Sequence, residues 1–151
     1  MAKDLAGELC DVFIGSTCLV LPDDATLVYK ASFDSSVYRI NDDERELIGA
    51  YVGHAPKPFE RTASFERSVD DFRVVGYTSE SDGNTKVDIL FEPKKKTLST
   101  IHIFANVPSS RRATLGRALA GLRVCRVKSQ EEWWCPRTSD LGHALSKWVS
   151  K

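Results

Sequence analysis

The stretch FRVVGYTSESDGNTKVDILFE, residues 72–92, decides the fold. Two runs rich in β-branched and aromatic residues, FRVVGYT and KVDILFE, flank a polar connection that carries Asp82-Gly83. That dipeptide is the strongest short-range hairpin signal a sequence offers, because the tight turn demands positive φ at its centre. Glycine supplies that conformation at no steric cost.

The same pattern continues on both sides. Downstream, PKKK turns KVDILFE into TLSTIHIFANV (97–107). This strand alternates, with Leu98, Thr100, His102 and Phe104 on one side and Ser99, Ile101, Ile103 and Ala105 on the other. Upstream, SVYRI (36–40) and ELIGAYV (46–52) flank the charged turn NDDER. Short polar turns between consecutive strands argue for an antiparallel β-meander of about five strands, and DVFIGSTCLVLP (11–22) reads as a sixth.

A sheet with one apolar face needs a cover. Pro108 ends the last strand of the meander, and Ser109 or Ser110 caps a helix through RRATLGRALAGLRV (111–124). Leu115, Ala118, Leu119 and Leu122 form one apolar stripe, with Arg111, Arg112, Arg117 and Arg123 outside it. Gly116 and Gly121 each cost about 1 kcal/mol relative to Ala, so close packing on the sheet has to compensate. A C-terminal helix is expected in SDLGHALSKWVSK (139–151), capped by Ser139 and buried through Leu141, Leu145, Trp148 and Val149. Without repeat, low-complexity tract or linker, residues 1–151 read as one α+β domain.

The chain has 151 residues, 42% hydrophobic and 28% charged, the composition of an ordinary globular protein able to bury a core. No apolar run is long enough to cross a bilayer. The net charge of zero hides a division. Residues 1–92 carry 9 Lys/Arg against 18 Asp/Glu, and residues 93–151 carry 12 against 3. The direct reading is that the two segments pack together and neutralise each other; the sharper one is a basic face for an acidic protein or a nucleic acid.

Cys10, Cys18, Cys125 and Cys135 form no C-x-x-C pair and the three histidines are scattered, so zinc-ligand spacing is absent. Neither metal nor cofactor is expected. Of the three full pairings, Cys125–Cys135 is the first to test, because it would clamp the KSQEEWW loop. Paired cysteines imply an oxidising compartment, whereas free ones serve as small buried hydrophobes. MAKDLAGELCDVF lacks the features of a signal peptide. The chain is then either intracellular or a mature form without its leader, and the cysteines favour a periplasmic or exported protein over a cytoplasmic one.

Candidate chemistry is sparse. His54 follows a strand end in YVGHAPKPF, where a general base could stand. The structural reading explains more: Gly53 permits a bend, and Pro56 and Pro58 forbid continued pairing. His102 sits in mid-strand, the usual place of a hydrogen-bonded histidine on a sheet face. No nucleophile elbow, phosphate loop or dinucleotide fingerprint occurs. Lys94, Lys95 and Lys96 and the arginines of 111–126 suit phosphates, yet lysines in a hairpin turn also protect sheet edges. Trp133 and Trp134 suit base stacking or a protein interface.

The segments LVLPDDATLVYKASFDSSVYRI (19–40), ELIGAYVGHAP (46–56) and STIHIFANVPSSRRATLGRALAGL (99–122) resemble small, largely uncharacterised bacterial envelope proteins. The resemblance spans about two thirds of the chain and departs from that pattern in having no leader. It implies a module that binds a partner, of the kind that neutralises toxins delivered by competitors, and it offers no catalytic residue. The expected function is non-enzymatic binding of one protein, a toxin or an enzyme, by an immunity or inhibitor protein. Its contacts are expected at His54, Lys57 and Phe59 and at Glu131, Glu132, Trp133 and Trp134. The alternatives are a small enzyme with His54 or His102 as acid/base, and a nucleic-acid binder using residues 94–96 and 111–126.

Overall fold

A computed structural model describes residues 10–32, 34–42, 45–54, 62–129 and 132–151. Asp82 and Gly83 adopt φ of 53° and 79°, the left-handed pair that a two-residue hairpin turn requires. The strands they join, β7 (Phe72–Ser81) and β8 (Asn84–Pro93), pair along their whole length from Ser81↔Asn84 to Phe72↔Pro93. Strand β9 (Thr100–Pro108) continues the meander on one side, and the short β6 (Phe65–Val69) continues it on the other. Three earlier strands, β3 (Ala25–Ala31), β4 (Ser36–Asp42) and β5 (Arg45–Gly53), form a second meander.

The two meanders share one antiparallel sheet of seven strands in the order β3-β4-β5-β9-β8-β7-β6. Hence the chain does not step from β5 to its neighbour. It crosses to the far edge, runs back through β6, β7 and β8, and closes β9 against β5 from Gly49↔Phe104 to Gly53↔Thr100. The α+β class and the hairpins of the central strands agree with the sequence. The edge strands β3 and β6 are additions to it, and the β5–β9 junction follows from pairing that no local pattern records.

Period two decides the faces. Val87, Ile89 and Phe91 of β8 and Ile101, Ile103, Ala105 and Val107 of β9 are buried on one inner face, with Thr85 beside them. Above that face lie helix α1 (Arg112–Leu119), helix α2 (Asp140–Ser150) and a small sheet. The small sheet has the order β1-β2-β10, built from β1 (Val12–Ile14), β2 (Thr17–Leu19) and β10 (Arg123–Val124). The segment DVFIGSTCLVLP is thus a hairpin rather than one strand, turned at Gly15 with φ 59°. A separate hairpin joins β11 (Arg126–Ser129) to β12 (Glu132–Trp134).

Helix α1 buries the expected stripe of Leu115, Ala118 and Leu119, but it stops at Leu119, and Leu122 is buried in the connection to β10. The close approach at Gly116 is to the other helix, not to the sheet. A Cβ added there would collide with Ser150 Oγ and lie 3.2 Å from the Ser146 carbonyl oxygen. Gly142, in the first turn of α2, is tighter still, because its added Cβ would run into the Ala120 carbonyl group. Ser139 caps α2 as expected, accepting from the Gly142 N–H at 3.1 Å while its hydroxyl donates to the Leu122 carbonyl. Trp148 packs on Phe65 at 5.4 Å between centroids and donates to Ser64 Oγ at 2.9 Å, which ties α2 to the β6 edge.

Gly→Ala inside a helix ordinarily stabilises by about 1 kcal/mol. For Gly142→Ala the sign is expected to reverse, with a loss on the order of 1–3 kcal/mol from overpacking against a backbone that cannot swing away. Urea unfolding of the variant checks this; a stabilised protein would refute the close approach of α2 to the end of α1.

The charge division is resolved within the fold. Arg111 pairs with Asp42 at 2.6 Å, Arg112 with Glu80 at 2.8 Å, Arg126 with Asp70 at 2.7 Å and Lys95 with Asp71 at 3.4 Å. Each pair joins the basic C-terminal part to the acidic N-terminal part. Arg111–Asp42 is partly buried, whereas the more exposed pairs contribute about 0–1 kcal/mol each and orient the segments more than they hold them.

Candidate partner-binding surface

Strand β3 ends the seven-stranded sheet, and among the described residues nothing pairs with its outer edge. It pairs β4 without interruption from Ala25↔Asp42 to Ala31↔Ser36, so seven residues of regularly paired backbone line the rim. Its apolar side chains are not covered by the helices: Leu27 is 38% exposed, Val28 53% and Tyr29 52%. Leu27 and Tyr29 share the inner-side face, and Val28 stands on the other. Tyr29 is held by the Tyr38 ring at 4.9 Å and by a contact of its hydroxyl with Ser36 Oγ at 3.3 Å. Burial pushes the Tyr38 hydroxyl above its ordinary pKa, and Tyr29 beside it adds to the shift. A long apolar edge strand of this kind is a template for another chain. Lys30 is the only charge among its seven residues.

The outer face of the central strands carries a polar pair among aromatic groups. His102 Nε2 lies 2.9 Å from Asp88 Oδ1, with Asp88 only 3% exposed. The Phe104 ring lies against Gly49 and the Tyr51 ring against Gly53, both where a Cβ would collide with the ring. Gly53 stands directly before the bend at His54 and has a second role besides. Its backbone is not left-handed, and the missing side chain makes room for Tyr51. The Asp88 contact sets the orientation of the His102 ring, which agrees with a hydrogen-bonded face histidine. Sequence reasoning passes over Asp88, although a lone carboxylate inside VDILF is a visible signal.

Of the expected contact residues, His54 and Trp134 are the ones whose side chains are described. His54 is an exposed residue just beyond β5, at the end of the sheet where β3 finishes. Lys57, Phe59 and Glu131 lie outside the described residues, and for Glu132 and Trp133 the description is limited to their backbone in β12. Trp134 is half-buried, with the Arg126 guanidinium 5.4 Å from its ring centroid. Arg126 in turn is bound to Asp70 in the β6–β7 turn. Trp134 thus belongs with the opposite edge, since three strand spacings, about 14 Å, separate β5 from β7. Beside Arg126 and Asp70 a cleft of about 300 Å³ is lined also by Ser16, Asp71, Phe72, Lys95 and Leu98.

Most cations of the nucleic-acid alternative are engaged within the chain. Beside the four ion pairs already described, Lys94 donates to Ser68 Oγ, Arg117 to Thr114 Oγ1, and Arg123 to the carbonyls of Gly121 and Arg137.

The cysteines form two disulfides, Cys10–Cys18 and the expected Cys125–Cys135, with Cα–Cα distances of 5.4 and 4.4 Å. Cys125 and Cys135 extend the β11–β12 register by one residue beyond Arg126↔Trp134. Their separation suits directly opposed cross-strand residues. What the local spacing does not convey is that the two bridges meet. The four Sγ atoms lie within 4.8 Å of one another, with Cys18, Cys125 and Cys135 buried and Phe13 packed against them.

No family model matches this chain, and no curated protein and no solved structure is significantly similar to it. No helix among the described residues is long and apolar enough to cross a membrane.

Proposed function

We propose that this chain is a non-enzymatic protein-binding module that takes an extended segment of one partner protein as an added strand on β3. Occlusion of that partner, a toxin or an enzyme, is the immunity- or inhibitor-type action that the sequence resemblance implies. One observation carries the reading: a seven-residue edge strand with Leu27, Val28 and Tyr29 left exposed. Main-chain hydrogen bonds along such an edge give affinity, and alternate side chains give specificity. The two disulfides support a protein that works in an oxidising, exported setting.

Charge favours a partner strand over a second copy. Exposed Asp23 and Asp24 precede β3 and exposed Asp34 follows it. Two copies paired antiparallel about Val28 would bring Asp23 and Asp24 of each alongside Asp34 of the other, and like charges set side by side destabilise a ladder. A segment with apolar alternation and basic flanks meets the same acids favourably and associates faster. His54, at the end where β3 finishes, extends this surface.

The test is selection of random extended peptides displayed on phage against the oxidised chain. Expected winners alternate apolar residues between Lys or Arg flanks. Val28→Lys with Tyr29→Lys is expected to weaken them at least about tenfold, roughly 1.4 kcal/mol, with the thermal midpoint within a few degrees of the parent. Peptides indifferent to both substitutions would refute the assignment, as would a dimer that the same substitutions dissolve. The rival, acid–base chemistry at His102, is favoured by the Asp88 contact. An enzymatic activity lost in His102→Ala would select it.

A further inference from the structure

We infer that the four cysteines constitute one tetrathiolate metal centre, which takes a single Zn²⁺ when the two disulfides are reduced. The inference stands apart from the binding role of β3. It begins from distance: the four sulfurs already lie within 4.8 Å of one another. Tetrahedral zinc with Zn–S bonds of about 2.3 Å sets its ligand sulfurs about 3.8 Å apart. Opening each bridge and moving the sulfurs to that spacing asks for side-chain adjustment within the cluster.

The backbone is set up to allow this. Cys18 lies in β2 and Cys10 just before β1 of the same hairpin, and Cys125 and Cys135 flank the β11–β12 hairpin. The two units are joined independently of sulfur: Cys18 is the register partner of Arg123 in β10, and the Cys125 N–H donates to the Ser16 carbonyl at 2.8 Å. Reduction therefore leaves in place the contacts that hold Cys18 beside Cys125, and the ion takes over from the bridges in drawing in Cys10 and Cys135 from the residues that flank β1 and β12. Cys18, Cys125 and Cys135 are at most 3% exposed. Four thiols confined in an apolar pocket are the donor set that thiophilic cations prefer over harder ones.

Charge supports the same ion. A zinc tetrathiolate carries a charge of −2, and Arg123, directly cross-strand from Cys18, stands on the same face of that ladder. Its Nε is a buried nitrogen with no hydrogen-bond partner among the described residues, and thiolate sulfur is an acceptor.

The chemistry balances with a dithiol as reductant. Each bridge takes two electrons and two protons from one dithiol, which leaves as a disulfide, and the protein gains four thiols. Zn²⁺ then displaces four protons and forms four Zn–S bonds. Under oxidising conditions the reverse exchange ejects the ion and restores the two bridges.

Cobalt(II) is the probe. The full chain, reduced with a phosphine under argon, is expected to bind one Co²⁺ with the intense visible bands of tetrahedral sulfur ligation. Zn²⁺ is expected to bleach them at one equivalent, and the oxidised chain to give none. Cys10→Ser and Cys125→Ser, one from each hairpin, should each abolish the tetrathiolate spectrum. The inference is overturned by a weak octahedral spectrum, by two ions per chain, or by spectra that survive either substitution. Native mass spectrometry of the unsubstituted chain decides even if a variant fails to fold: one zinc on the reduced form and none on the oxidised form is required, and equal loading of both refutes the centre.

Discussion

Replacing Cys125 and Cys135 together by alanine is expected to destabilise the oxidised protein by about 2.7 kcal/mol and to lower its melting temperature by roughly 5–10 °C. The figure comes from chain entropy, since a bridge across a loop of about ten residues removes that much freedom from the unfolded ensemble. The sequence separation is 10. Local structure makes this hairpin depend on its bridge. Strands β11 and β12 have four and three residues and pair only with each other among the described residues. An isolated two-stranded ribbon is marginal in water. Cys10–Cys18, with separation 8, closes a loop of similar entropy, yet β2 is also held by β10. Thermal unfolding followed by circular dichroism measures the shift. An unchanged melting temperature would mean that the β11–β12 hairpin holds without its bridge.

Phe91→Ala is expected to cost more, about 3–5 kcal/mol. The ring is fully buried on the inner face of β8, between Val74 and Ile101 in register, and meets Phe72 edge-on at 6.1 Å between centroids. Removing it leaves a void that the rigid central strands cannot close. Against a total stability of about 5–15 kcal/mol, that loss places the variant near unfolding at moderate temperature. Urea titration reads the change in midpoint. A loss below about 1 kcal/mol would contradict the central position of this residue in the core.

The legible parts of the fold are those where local chemistry and burial say the same thing. Asp82-Gly83 announces its hairpin, Ser139 its cap, and Ile101, Ile103 and Ala105 their common face. Strands β3 and β6 escape a reading of the sequence because an edge strand buries little. ATLVYKA is almost wholly exposed, and FERSV has no fully buried residue. The expected helix overruns Leu119 because Leu122 continues the apolar stripe, although it does so from beyond the Ala120-Gly121 turn. For the candidate surfaces the obstacle is separation along the chain. Each cysteine pair is visible in the sequence, but the meeting of four sulfurs depends on β10 pairing with β2, more than a hundred residues apart. The exposure of β3 likewise depends on where the helices stop, which no residue of β3 encodes.

The junction of β5 with β9 has a consequence for the order of events in folding. Every other ladder of the large sheet connects strands that follow one another in the chain. Those hairpins close loops of a few residues and form on a microsecond scale. The Gly49↔Phe104 pairing closes a loop of more than fifty residues and bears a larger entropic cost before any contact offsets it. Two preformed meanders are therefore expected to dock late along this seam, and substitutions such as Ala50→Gly at the seam should slow refolding more than equally destabilising changes inside either meander. The sheet that looks continuous in space is, in time, two pieces.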